Sequence, residues 1–139
     1  MTDLTKLYVA ALSPTDPLPD RILRVLVSKT SWTHRLLSPL HCACINPNPS
    51  VLKTLLRICP TFSLPDKNRR NLIHYAAANP NPDNLRFLLA NGCDANELDS
   101  ARKTPLMIAA QLGLIGNLQG LLEHFEKRKR QPIQEAKEK

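Results

Sequence analysis

Three seven-residue phrases recur along this chain at one fixed interval, and that regularity constrains its fold more than any other feature. They are Ser38-Pro39-Leu40-His41-Cys42-Ala43-Cys44, Asn71-Leu72-Ile73-His74-Tyr75-Ala76-Ala77 and Thr104-Pro105-Leu106-Met107-Ile108-Ala109-Ala110. Their first residues lie 33 apart, and one more step back reaches a worn copy, Thr5-Lys6-Leu7-Tyr8-Val9-Ala10-Ala11. Other positions keep the same interval: Leu55-Leu56, Leu88-Leu89 and Leu121-Leu122, preceded by Ile22-Leu23, and Asp66 with Asp99. Independent sets of positions sharing one period mark a stack of equivalent units, none able to bury its apolar face alone.

The expected units are 5–37, 38–70, 71–103 and 104–136, forming one domain over 1–130 with a charged tail at 131–139. Each reads as a helix, a tight turn, a second helix and an extended finger. Ser38, Asn71 or Thr104 can cap the first helix, and Pro39 or Pro105 suits its first turn. Ala43, Ala76 and Ala109 are small where two helix layers must approach, while Leu40, Ile73 and Leu106 point into the seam between neighbours. The second helix of the second unit carries Val51, Leu52, Leu55, Leu56 and Ile58. In the first unit, Thr2 or Asp3 caps a helix holding Leu4, Leu7, Tyr8 and Ala11. Asp16-Pro17 then opens a helix with an apolar face of Leu18, Ile22, Val25 and Leu26. The last helix is expected from about Asn117 past Phe125. Gly120 inside it costs about 1 kcal/mol relative to alanine. Lys127-Arg128-Lys129-Arg130 sits in its last turns, where cations suit the helix dipole, and Pro132 stops it. The end units are expected to turn a polar face outward.

The phrase Thr104-Pro105-Leu106 with Ala109-Ala110, the following Gly113 and the pair Leu121-Leu122 resemble the ankyrin repeat. So does Leu88-Leu89 followed by Gly92-Cys93-Asp94-Ala95-Asn96 and Asp99, which is similar to the family's Leu-Leu-x-x-Gly-Ala-Asp-Val-Asn-x-x-Asp ending. The resemblance covers residues 5 to about 130 and implies an all-α solenoid of helix–turn–helix units with short finger loops. Leu40, His41, Ala43, Leu72, His74, Ala76, Pro105, Leu106 and Ala109 become its structural positions, with His41 and His74 bonding finger backbone.

Two departures stand out. Where the family has glycine after the first helix, as at Gly113, this chain has Pro14, Pro47 and Pro80. Proline cannot take the positive φ that glycine supplies, so the turn must be rebuilt, with Asn48 or Asn81 as the new N-cap. At the fingertips, Arg69 and Arg102 replace a usual glycine and are followed by Arg70 and Lys103. With Lys67 and Arg35 they would stack basic side chains along the fingers.

Composition closes off other readings. At 139 residues, 42% hydrophobic and 22% charged, the chain suits one globular domain. Aromatics are scarce at 4%, so the core rests on aliphatic residues. Cys42, Cys44, Cys59 and Cys93 form no C-x-x-C pair, and no second cluster completes a zinc site. No secretory leader, membrane span, phosphate loop or paired-carboxylate site is legible, so the chain reads as a reduced, cytoplasmic or nuclear protein, not an enzyme, with neither metal nor cofactor.

The resemblance therefore implies a protein-interaction module, an adaptor or inhibitor, monomeric on its own. Its contact candidates are the variable finger and first-helix positions Arg35, Lys67, Asn68, Arg70, Asn79, Ser100, Lys103 and Gln111, together with Arg69 and Arg102. Trp32, the one tryptophan, is a possible anchor. A net charge of +7 favours an acidic protein surface. The alternative is a nucleic-acid or chromatin-associated binder using the basic fingertips and the Lys127–Arg130 cluster, although stacking aromatics are lacking.

Overall fold

The computed structural model describes residues 3–13, 19, 21, 22, 24 and 38–138, with backbone alone for 3–5, 7 and 129–138. Its helices are α1 (Asp3–Leu12), α2 (Pro39–Ile45), α3 (Pro49–Ile58), α4 (Leu72–Ala77), α5 (Asp83–Ala90), α6 (Pro105–Leu112) and α7 (Ile115–Glu138). The first helices α1, α2, α4 and α6 pack each on the next, and α3, α5 and α7 form a second row. The protein is an all-α repeat stack.

Small residues hold the first row together. Ala10, Ala43, Ala76 and Ala109 lie 33 apart and all are buried, the last three completely. Leu40, Leu52, Leu55, Leu72, Leu85, Leu88 and Leu121 fill the space between the rows. Burying each such side chain contributes about 1.5–3 kcal/mol.

Capping fixes where each first helix begins. The Ser38 hydroxyl accepts from the His41 amide while His41 Nδ1 accepts from the Ser38 amide. Asn71 and His74 form the same reciprocal box. Thr104 Oγ1 accepts from the Met107 amide, but methionine cannot return the bond, so the third box is half-made. These bonds satisfy amides that a helix start would otherwise leave orphaned.

The rebuilt turns rest on asparagine. Asn46 Nδ2 donates to the carbonyls of Ala11 and Ser13, and Asn79 Nδ2 donates to those of Cys44 and Asn46. From the second helices, Asn84 Nδ2 reaches Ala43, Cys44 and Asn46, and Asn117 Nδ2 reaches Ala77 and Asn79. A helix leaves its last carbonyls without internal partners. Each proline turn therefore takes its donors from side chains of the following unit. In the last unit Gly113, at φ 68°, closes the helix with its own backbone instead, donating to Ala109 and Ala110. Glycine adopts that left-handed conformation without a Cβ clash.

Several expectations need correction. The helix begun at Ile115 runs through Pro132 to Glu138. Proline removes one backbone bond but keeps a φ near −65°, which a helix accepts. The Lys127–Arg130 cluster is then eight residues short of the helix end, outside the final turn where the dipole acts. The N-cap of α5 is Pro82 rather than Asn81, and it makes no side-chain cap bond. Asn81 still accepts from the Asp83 amide, as Asn48 does from Ser50. Ile22 is exposed rather than part of a buried face. The outer face of the last unit carries exposed apolar side chains, Met107, Leu112 and Leu122 among them, rather than a polar surface. Thr2, Pro14, Asp16, Leu18, Val25 and Leu26 lie outside the described residues, as do the side chains of Leu4 and Leu7.

Candidate functional site: the finger turns

Each described finger is built on a buried aspartate. Asp66 Oδ1 accepts from the amides of Asn68 and Arg70, and Asp99 Oδ1 accepts from those of Ala101 and Lys103. The Arg69 amide closes back onto the Asp66 carbonyl, and the Arg102 amide onto that of Asp99. A second backbone bond runs from the Asp66 amide to Arg70, and from Asp99 to Lys103. This is the three-residue hairpin pattern, which requires one left-handed residue. Here that residue is Arg69 at φ 59° and Arg102 at φ 61°. Left-handed backbone costs a non-glycine residue about 1–2 kcal/mol. Both side chains are exposed.

The turns are joined to each other. The Ser100 amide donates to the Asn68 carbonyl at 2.9 Å, and Arg70 Nε lies 3.5 Å from Asp99 Oδ2. His74 locks the third finger beneath, its Nε2 reaching the carbonyls of Glu97 at 3.0 Å and Lys103 at 3.1 Å. Because Nδ1 accepts from the Asn71 amide, these bonds assign the proton to Nε2. His41 adopts the same tautomer, and the carbonyls of Leu64 and Arg70 face its ring. Its Nε2 makes no hydrogen bond among the described residues. The Tyr75 ring stacks edge-on against His41 at 4.8 Å, and its hydroxyl donates to Asp66 Oδ2.

Burial works to raise the Asp66 carboxyl. The hydrogen bonds from Tyr75 and from the amides of Arg70 and Asn68, with the nearby His41, outweigh it and hold the group below its usual value. Asp99 is likewise lowered: burial opposes, and the amides of Lys103 and Ala101, His74 and Arg70 prevail. Desolvation dominates at His41 and lowers it, with Leu64, Asp66 and Arg70 offsetting only part.

These contacts sort the expected site residues. Lys67, Asn68, Arg69, Ser100 and Arg102 are exposed on the two joined turns. Arg70 is tied to Asp99, and Lys103 Nζ donates to Gln111 Oε1 at 3.3 Å. Asn79 is a correction: only 1% exposed, it spends its amide on Cys44 and Asn46 and its Oδ1 on the Asn81 amide, so no partner can reach it. Trp32 and Arg35 lie outside the described residues. Cys42 and Cys44 are buried and burial pushes both thiols up, while the Cys93 thiol rises to about 11. An activated thiolate nucleophile needs the opposite shift. Sequence reasoning missed the Asn46, Asn79, Asn84 and Asn117 ladder. Its signal was present in the spacing, since 46 and 79, and 84 and 117, are each 33 apart.

Comparison with known proteins agrees with this architecture. A family model described as "Ankyrin repeats" matches residues 40–132 in 3 copies. The poly [ADP-ribose] polymerase tankyrase of Caenorhabditis elegans is 34% identical over 108 residues. That similarity covers 78% of this chain but about 5% of the tankyrase, so the chain spans a small part of that relative's length.

Proposed function

The chain belongs to the ankyrin-repeat family, and on that premise we propose that it is a non-enzymatic protein-interaction module. It acts as an adaptor or inhibitor that binds an acidic protein surface through its fingers. A single chain is the binding unit, working in the cytoplasm or nucleus. The observation that supports this reading is the pair of exposed arginines, 33 residues apart, each held at a left-handed φ where glycine would be unstrained. Strain of this kind concentrates at functional sites. Lys67 stands on the first of the two turns, and Lys67, Arg69 and Arg102 are exposed and form no ion pair among the described residues. A preformed turn orders little on binding, which limits the entropy lost.

The test is fluorescence anisotropy with a labelled polyglutamate peptide and, separately, a labelled DNA duplex, each titrated across salt. The expected result is peptide binding that weakens at least tenfold in Arg69→Glu/Arg102→Glu, with far-ultraviolet dichroism unchanged. Tight duplex binding with a steep salt slope, and none to the peptide, would replace this reading with the nucleic-acid one.

A further inference from the structure

The last unit carries an uncovered copy of the seam that holds the other units together. His41 and His74 are 0% and 1% exposed, whereas Met107, in the same register position, is 49% exposed. Leu56 and Leu89 are 2% and 6% exposed, and their equivalent Leu122 is 53% exposed. Asn46 and Asn79 are buried at 2% and 1%, and Leu112 in their place is 56% exposed. These side chains lie where a following unit would sit. Exposed apolar side chains at positions that are buried in every inner unit mark an interaction surface.

At the other end, α1 carries the complementary side of the seam. In the inner units, one position of the first helix packs against the histidine position of the unit before it. Tyr75 stacks on His41, and Tyr8, at the histidine position of α1, packs against the buried cluster that includes Cys42. The equivalent residue in α1 is Val9, which is 56% exposed. The register therefore pairs Val9 of one chain with Met107 of another, an apolar side chain on each side. We propose that this protein self-associates head to tail, the α6–α7 face of one copy receiving α1 of a second as though it were the next repeat. Continuity with the inter-repeat seam selects a second copy as the occupant, because one chain bears both exposed halves. Such a contact is heterologous and does not close, so it builds open-ended oligomers.

A net charge of +7 and the exposed Lys6 on α1 oppose the contact, so association is weak in dilute solution and strengthens with salt. This goes beyond the fingertip reading and does not depend on it. Sedimentation velocity from micromolar to millimolar protein, at about 0.1 M and about 1 M salt, reads it directly. The screening length falls from about 10 Å to about 3 Å between those conditions. The expected result is a concentration-dependent series of oligomers, favoured at high salt. Val9→Lys and Met107→Lys, both at exposed positions that leave the melt unchanged, should each reduce the association constant at least tenfold. An equimolar mixture of Val9→Lys and Met107→Lys should give dimers and nothing longer, since only one intact seam can form. A wild-type chain that stays monomeric at millimolar concentration in both salts overturns the proposal. So does association abolished by Met107→Lys but untouched by Val9→Lys, which would mean that like faces pair.

Discussion

Replacing the two left-handed arginines with glycine separates stability from binding. Arg69 and Arg102 sit at φ 59° and 61°, where an L-residue costs about 1–2 kcal/mol. Glycine removes that strain but gives back about 0.5–1 kcal/mol through its freer unfolded chain. Both side chains are exposed, so little packing is lost. Each substitution should then stabilise by about 0.5–1 kcal/mol, and the pair by about 1–2 kcal/mol. For a chain of 139 residues that corresponds to a rise of roughly 4–8 °C in melting temperature. Differential scanning calorimetry measures it, and anisotropy with the polyglutamate peptide is run alongside. Arg69→Gly/Arg102→Gly should melt higher and bind worse. Arg69→Lys/Arg102→Lys keeps both strain and charge and should resemble the parent in each assay. Arg69→Ala/Arg102→Ala should lose binding with no gain in stability. A glycine pair that melts at or below the parent would refute the strain argument, and with it the reason for reading the turns as a site.

Asn117→Ala removes two donors, 2.9 Å from the Ala77 carbonyl and 2.6 Å from that of Asn79, inside a fully buried position. It should cost about 2–4 kcal/mol in urea denaturation, the penalty for orphaned buried carbonyls included; a loss below about 1 kcal/mol would mean that the ladder is not holding the turns. Gly120→Ala should stabilise α7 by up to about 1 kcal/mol, because its Cβ would meet Arg86 Cγ at an ordinary 3.5 Å. Gly116→Ala, whose Cβ would crowd Pro82 Cγ at 3.2 Å, should not. Stability should also fall with acid in two stages. His41 has a lowered pKa in the fold, so its contribution is intact above about pH 6.5, the unfolded value, and is lost as the pH drops from there toward the folded value. Asp66 and Asp99 are lowered too, so theirs persists above about pH 4 and is lost below it as the pH falls through the folded values. A thermal melt that does not change between about pH 7 and pH 5 would contradict the His41 stage.

The fold was legible because a stack of equivalent units writes one period into every structural position. Ala43, Ala76 and Ala109 had to be small in concert, and the capping residues Ser38, Asn71 and Thr104 had to recur with them. The turns were half-legible. Proline at Pro47 and Pro80 ruled out the glycine geometry, but not where replacement donors would come from, since Asn84 and Asn117 act across 38 to 41 residues of chain. Asn79 reads as a contact residue in sequence for that reason: a polar side chain beside a turn looks solvent-facing, whereas its partners are the buried carbonyls of Cys44 and Asn46. At the fingers, arginine in a glycine position was visible in the sequence. Its conformation depends on the buried aspartates Asp66 and Asp99, whose hydrogen bonds fix the turn. Pro132 reads as a stop because proline breaks most helix interiors, yet α7 passes through it.

The central claim is that the joined finger turns are where an acidic partner binds. At 15.6 kDa the chain is suited to residue-resolved amide NMR, and titration with the polyglutamate peptide tests the claim directly. Shift changes concentrated in Lys67 to Arg70 and Ser100 to Lys103 are predicted, with the buried helices of the first row unmoved. Changes centred on Lys127 and Arg128 of α7, with the finger amides silent, would contradict it.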